Sequence, residues 1–300
     1  MAAISATMVK DLREKTGAPM LDCKNALNEA GGDLEKAVEV LRKKGMASAA
    51  KKSGRLASEG LVHIHLEGKN AAMVEVNCET DFVGKTDEFQ SFVKQVAQHV
   101  FKNNPKDRDA LLTQTWASAG KSVEEITREM VARIGENISV RRFHYITGKP
   151  DQFIGQYIHM GSKIGALVLI QGSKLPDEAL RGVAMHVAAA APRFVSADRI
   201  PQAVLDKEKE IYLEQMKDSG KPAEILEKII DGKVKKFASE VCLDDQIYIK
   251  DPEGKLTVSK YLKSLDPQAK ILDFVRFQVG EGLEKKQENF AEEVAKQMGK

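Results

Sequence analysis

The chain has 300 residues, 42% hydrophobic, 30% charged and 6% aromatic, which is enough apolar material for a core and excludes a disordered chain. Lys and Arg number 46 against 44 Asp and Glu, a net +2, so bulk charge gives no reason to bind a polyanion. Cys23, Cys78 and Cys242 lie far apart, which excludes a disulfide framework and a Cys-x-x-Cys metal pair. With no export signal at Met1–Ser5 and no apolar run near the ~18 residues of a membrane span, the expectation is a cytoplasmic protein without a membrane segment.

The first 45 residues read as three short helices. Ser5 caps the first, with Met8, Val9 and Leu12 on one face, and Gly17 ends it. Pro19 opens the second, which carries Met20, Cys23 and Leu27. Asp33 caps the third, where Leu34, Ala37, Val38 and Leu41 face inward and which ends near Gly45. A tether over 47–57 follows. Residues 1–56 hold eleven Lys/Arg against seven Asp/Glu, net +4, so the remainder is net −2. Arg42, Lys43, Lys44, Lys51, Lys52 and Arg55 form a basic stretch that reads as a solvated linker, with RNA binding through 42–55 as the alternative.

From Gly60 the period changes to two. Val62, Ile64 and Leu66 alternate with polar residues, Gly68-Lys69-Asn70 turns, and Ala72, Val74 and Val76 alternate again. A helix capped by Asp87 carries Phe89, Phe92, Val93, Val96 and Val100; Leu111–Trp116 and Val123–Arg133 also read as helical, and Ile138–Ile146 as a strand. The plan then repeats. Ile158-His159-Met160-Gly161-Ser162-Lys163 matches Ile64-His65-Leu66-Glu67-Gly68-Lys69, and Asp177-Glu178 opens a second helix as Asp87-Glu88 opens the first. Residues 201–238 read as an antiparallel helical hairpin that breaks at Ser219–Pro222. Val241–Ile249 and Ile271–Val279 read as strands of the second sheet, and a last helix carries Phe290, Val294 and Met298.

The fold class is α+β. The expected domains are a docking module with its tether (1–56), a first core unit (57–146), a second (147–200 and 239–280), an inserted helical hairpin (201–238) and a C-terminal helix (281–300).

Few residues suggest chemistry. Gly84-Lys85-Thr86 could end a phosphate-binding loop, but the glycine required at position 79 is Glu79, whose charge repels phosphate. His63 and His65 share a strand face without a third local ligand, and no cysteine sits in a nucleophile elbow. A Cys/His enzyme therefore has little support. The segment Glu79-Thr80-Asp81-Phe82-Val83 stands out, because an aromatic beside an acid on a loop can act as a wedge. Periodicity alone favours the other reading, in which Phe82 and Val83 tuck into the local core while Thr80 or Asp81 caps a turn.

Four motifs resemble one family. Val9–Ala18 with Met20–Leu27, Glu75–Val83, Ala184–Ala189 and Phe277–Gly282 resemble bacterial translation elongation factor Ts, in that family's order. The resemblance implies a guanine-nucleotide exchange factor for elongation factor Tu, without covalent chemistry, cofactor or metal of its own. It implies that Thr80, Asp81, Phe82 and Val83 act on the Mg²⁺ side of the partner's nucleotide site. It further implies partner contacts through the N-terminal module (Leu12, Met20) and through the helix of His186. A homodimer through the helical hairpin or the core stays open, and no direct nucleic-acid contact is implied. Glu79 stands where glutamine is expected from the resemblance.

Overall fold

Capping residues and hydrophobic spacing set the N-terminal elements of the computed structural model, which describes residues 4–116, 119–217 and 222–284. Helix α1 (Ala6–Thr16) starts where Ser5 Oγ accepts the Met8 N–H and ends at Gly17 in the left-handed conformation. Helix α2 (Met20–Glu29) follows Pro19. Helix α3 (Leu34–Lys52) starts where Asp33 accepts the N–H groups of Glu35 and Lys36. Val9, Leu12, Cys23, Ala26, Leu27 and Ala37 form the small core of this module.

Helix α3 does not stop at Gly45; it runs to Lys52, so most of the expected tether is helix. A Cβ at Gly45 would lie 2.9 Å from the Cβ of Ala132. The glycine is therefore a close-approach point against helix α7 (Val123–Ile134), and helix propensity alone misreads it as a stop.

Strands β1 (Glu59–Glu67) and β2 (Asn70–Cys78) make the first hairpin. Helix α4 (Asp81–Gly84) is a single turn that leads to the long helix α5 (Asp87–Asn103). Thr86, not Asp87, caps α5: its Oγ1 accepts the Phe89 N–H. Asp87 occupies the first turn, where a negative charge suits the helix's positive end. The helix expected over Leu111–Trp116 is instead helix α6 (Arg108–Thr113), started by Asp107, followed by a short ribbon of β3 (Thr115–Trp116) and β4 (Lys121–Ser122). Helix α7 carries a full capping box between Ser122 and Glu125. Strand β5 (Ser139–Thr147) completes a sheet of order β1-β2-β5.

The second sheet has order β6-β7-β8, from β6 (Gln152–Ile158), β7 (Ile164–Gln171) and β8 (Lys270–Gln278). Its hairpin runs antiparallel from Gln152↔Gln171 to Ile158↔Gly165. Helix α8 (Asp177–Ala190) packs on it, with Val183, Ala184 and Val187 in a core shared with Val168, Ile170 and Ile271. A 3₁₀ turn (Ala197–Arg199) precedes helices α9 (Gln202–Met216) and α10 (Ala223–Val241), which pack on each other.

The strand expected over Val241–Ile249 is absent. That segment makes only isolated bridges, Phe194↔Cys242 and Ile247↔Thr257. Its backbone turns instead, with the Asp245 and Gln246 N–H groups both donating to the Cys242 carbonyl. Helix α11 (Val258–Leu265), started by Thr257, follows it. The expected C-terminal helix and the 219–221 part of the hairpin turn lie outside the described residues.

Two units emerge from the contacts: residues 1–63, 74–143 and 278–300, and residues 64–73 and 144–277. The division cuts across the first hairpin, whose base belongs to one unit and whose tip to the other.

Candidate functional site

Strand β2 delivers the chain to Glu79 and Thr80, and the next four residues form α4. Thr80 has extended backbone and caps this turn, its Oγ1 accepting the Val83 N–H at 3.4 Å. Val83 and Gly84 point inward, whereas Phe82 is 77% exposed. Asp81 meets Lys85 Nζ at 2.6 Å, and the same ammonium lies 5.8 Å from the Phe82 ring centre. An exposed phenylalanine on one helical turn is an apolar projection with a charged neighbour, the geometry of a wedge.

The base of the turn is tied down. Glu136 Oε2 accepts the N–H groups of Glu79 and Thr80 at 3.1 and 3.0 Å, and its Oε1 accepts the Thr80 hydroxyl at 2.6 Å. In return, Glu79 Oε1 accepts the Asn137 N–H at 2.6 Å and faces Arg55 Nη1 at 3.4 Å. The buried Asn137 side chain donates to the carbonyls of Arg55 and Ser53. Sequence reasoning missed Glu136 and Asn137. Their signal is a polar pair directly after the left-handed Gly135 that ends α7 and one residue short of strand β5.

The other expected contact residues divide. Met20 is 47% exposed at the start of α2. Leu12 is fully buried in the module's core, and His186 is 2% exposed. His186 Nδ1 accepts the Ile249 N–H at 3.1 Å, so its Nε2–H donates to Gln246 Oε1 at 3.0 Å. Burial lowers its pKa, against the opposing hydrogen bond to Gln246, and favours the neutral ring. Leu12 and His186 thus lie buried among their own neighbours, whereas Met20 presents surface.

Other readings gain little. Among the described residues, no group of three His, Cys, Asp or Glu is arranged to hold a metal. Cys23, Cys78 and Cys242 are buried and free, and burial pushes the Cys242 thiol up to about 11, away from a reactive thiolate. Within the basic stretch, Arg42 meets Glu125 at 2.9 Å, Lys44 meets Glu29, and Arg55 meets Glu79. No helix among the described residues is long and apolar enough to cross a membrane.

A sequence model of the family described as elongation factor TS matches residues 79–281, more than half of the chain. The chain belongs to the elongation factor Ts family. It is therefore a translation elongation factor. The matched span opens at Glu79, the first residue of the wedge segment, and includes Glu136, Asn137 and His186. The three-helix module lies before it.

Proposed function

We propose that this chain is a guanine-nucleotide exchange factor for elongation factor Tu, binding the GDP form and speeding GDP release. The carrying observation is Phe82, 77% exposed on a turn whose base, Glu79 and Thr80, makes four hydrogen bonds with Glu136 and Asn137. The family membership supports the choice of partner. In this reading Phe82 enters an apolar crevice beside the partner's nucleotide site. Asp81 then disturbs the contacts of the partner's Mg²⁺, the metal that travels with the nucleotide. The chain itself makes and breaks no covalent bond.

Magnitudes decide how the work is shared. Loosening a nucleotide 10⁴-fold needs about 5.5 kcal/mol of differential binding. Burying one phenylalanine contributes about 1.5–3 kcal/mol, so the wedge alone falls short. A contact surface of roughly 2,000 Å², drawn from several elements, supplies the rest. Exposed Met20 and Leu21 on α2 suit such a surface. The cations of 42–55 that face acids weaken the RNA reading, which also predicts binding that collapses with salt.

The test is release of labelled GDP from elongation factor Tu. Phe82→Ala is expected to lower the limiting release rate by about 10-fold or more while changing the half-saturating concentration far less. An unchanged limiting rate removes the wedge role.

A further inference from the structure

We infer that Glu136 is a positioning residue for exchange: it fixes the wedge turn before the partner arrives and, with Asn137, ties that turn to the end of α3. The inference rests on the exchange reading above and deepens it.

The geometry is a reciprocal clasp between two short segments of one unit. Each segment offers a carboxylate to the other's backbone. Glu136 takes the Glu79 and Thr80 N–H groups and the Thr80 hydroxyl, and Glu79 takes the Asn137 N–H. A carboxylate suits the first role because it accepts at both oxygens and needs no donor of its own. Hydrogen bonds to a charged acceptor are also the stronger kind. Thr80 lies at the centre. Its hydroxyl donates to Glu136 and accepts from Val83, so the orientation of α4, and with it Phe82, is set from Glu136. Two further bonds brace the same turn: Cys78 Sγ donates to the Thr80 carbonyl and Thr86 Oγ1 to the Val83 carbonyl.

The clasp does not end at the wedge. Asn137 Nδ2 donates to the carbonyls of Ser53 and Arg55, just past the last turn of α3. Helix α3 belongs to the three-helix module and packs along α7, whose end delivers Glu136. A continuous hydrogen-bonded path thus joins the module's last helix to the base of the wedge. A wedge fixed in advance loses less freedom on binding than a mobile loop, so more of the binding free energy reaches the nucleotide site.

The experiment measures GDP release from elongation factor Tu over a range of concentrations of the full chain. It compares wild type, Glu136→Ala, Phe82→Ala and the double variant, with hydrogen exchange of residues 78–86 measured on each free protein. Expected for Glu136→Ala are a limiting rate lower by about 10-fold or more, a half-saturating concentration within roughly 3-fold of wild type, and faster exchange at the Glu79 and Thr80 amides. On the Phe82→Ala background, Glu136→Ala is expected to add almost nothing, since the side chain it positions is gone. Equal losses on both backgrounds, or an unchanged limiting rate, overturn the inference. If Glu136→Ala melts too early to assay, Glu136→Met decides by the same criteria, because it nearly keeps the volume and removes both carboxylate acceptors. Wild type that fails to speed release overturns the exchange reading itself; faster release by wild type with no effect at Glu136 overturns only the positioning role.

Discussion

Glu75 is a carboxylate with no exposed surface, on the middle strand of the first sheet. It accepts from Arg141 Nη1 at 2.9 Å, Arg142 Nε at 2.6 Å, the Gly280 N–H at 2.9 Å and Asn77 Nδ2 at 3.2 Å. Arg142 also reaches Glu281 at 3.1 Å, so the network fastens residues 278–281 to this sheet. Burial pushes the Glu75 carboxyl up, but the Gly280 N–H and the two guanidinium groups outweigh it, and its pKa lies below the usual 4.5. A depressed carboxyl stabilises the folded state above the unfolded value and loses that contribution as pH falls through the folded one. Thermal melts from pH 7 downward should therefore show wild type more stable than Glu75→Gln at neutral pH, with the gap closing below about pH 4.5. A gap that stays constant with pH contradicts this. Glu75→Ala, which strands two partly buried arginines, is expected to cost about 3–5 kcal/mol. Alternation in the sequence placed Ala72, Val74 and Val76 inward and left Glu75 outside. A middle strand covered on both faces has no solvent side, so alternation could not find this residue.

At the scale of elements, the sites of closest approach carry the fold. A Cβ on Gly155 of β6 would lie 2.3 Å from the Leu180 carbonyl oxygen of α8, so that helix sits directly on the strand's backbone. Gly155→Ala must push a helix backbone aside and is expected to destabilise by about 1–3 kcal/mol or more in chemical denaturation; a neutral result would show that α8 shifts freely. What was legible in the sequence had a local cause. The period of Phe89, Phe92, Val93, Val96 and Val100 gives α5, whose same residues are buried. Ser5, Asp33 and Gly17 mark the ends of helices by local hydrogen bonding and backbone freedom. What was not legible had a distant cause. Gly45 continues α3 because Ala132 of α7 needs the space. Residues 241–249 turn away from a strand while Gln246 and Ile249 bond His186 of α8. The clasp at Glu136 joins residues more than fifty positions apart. The wedge segment itself could be read as a candidate, but only the structure turns Phe82 outward and Val83 inward.

Over the whole molecule, the repeat read at Ile64–Lys69 and Ile158–Lys163 corresponds to two sheets built alike, β1-β2-β5 and β6-β7-β8. Each has a hairpin, a helix directly after it and a third strand from later in the chain. The near-neutral charge that excluded a bulk affinity for polyanions fits a chain whose partner is a protein. In the proposed function, exchange is a coupling between two ligands of elongation factor Tu, and coupling is reciprocal. If this chain weakens GDP binding by some factor, GDP must weaken binding of this chain by the same factor, and neither nucleotide is favoured in direction. The most direct measurement is the rate of labelled GDP release from elongation factor Tu, chased with excess unlabelled nucleotide, with and without the full chain. The account predicts acceleration that saturates with concentration and drops about 10-fold or more in Phe82→Ala; release at the same rate with and without the chain would contradict it.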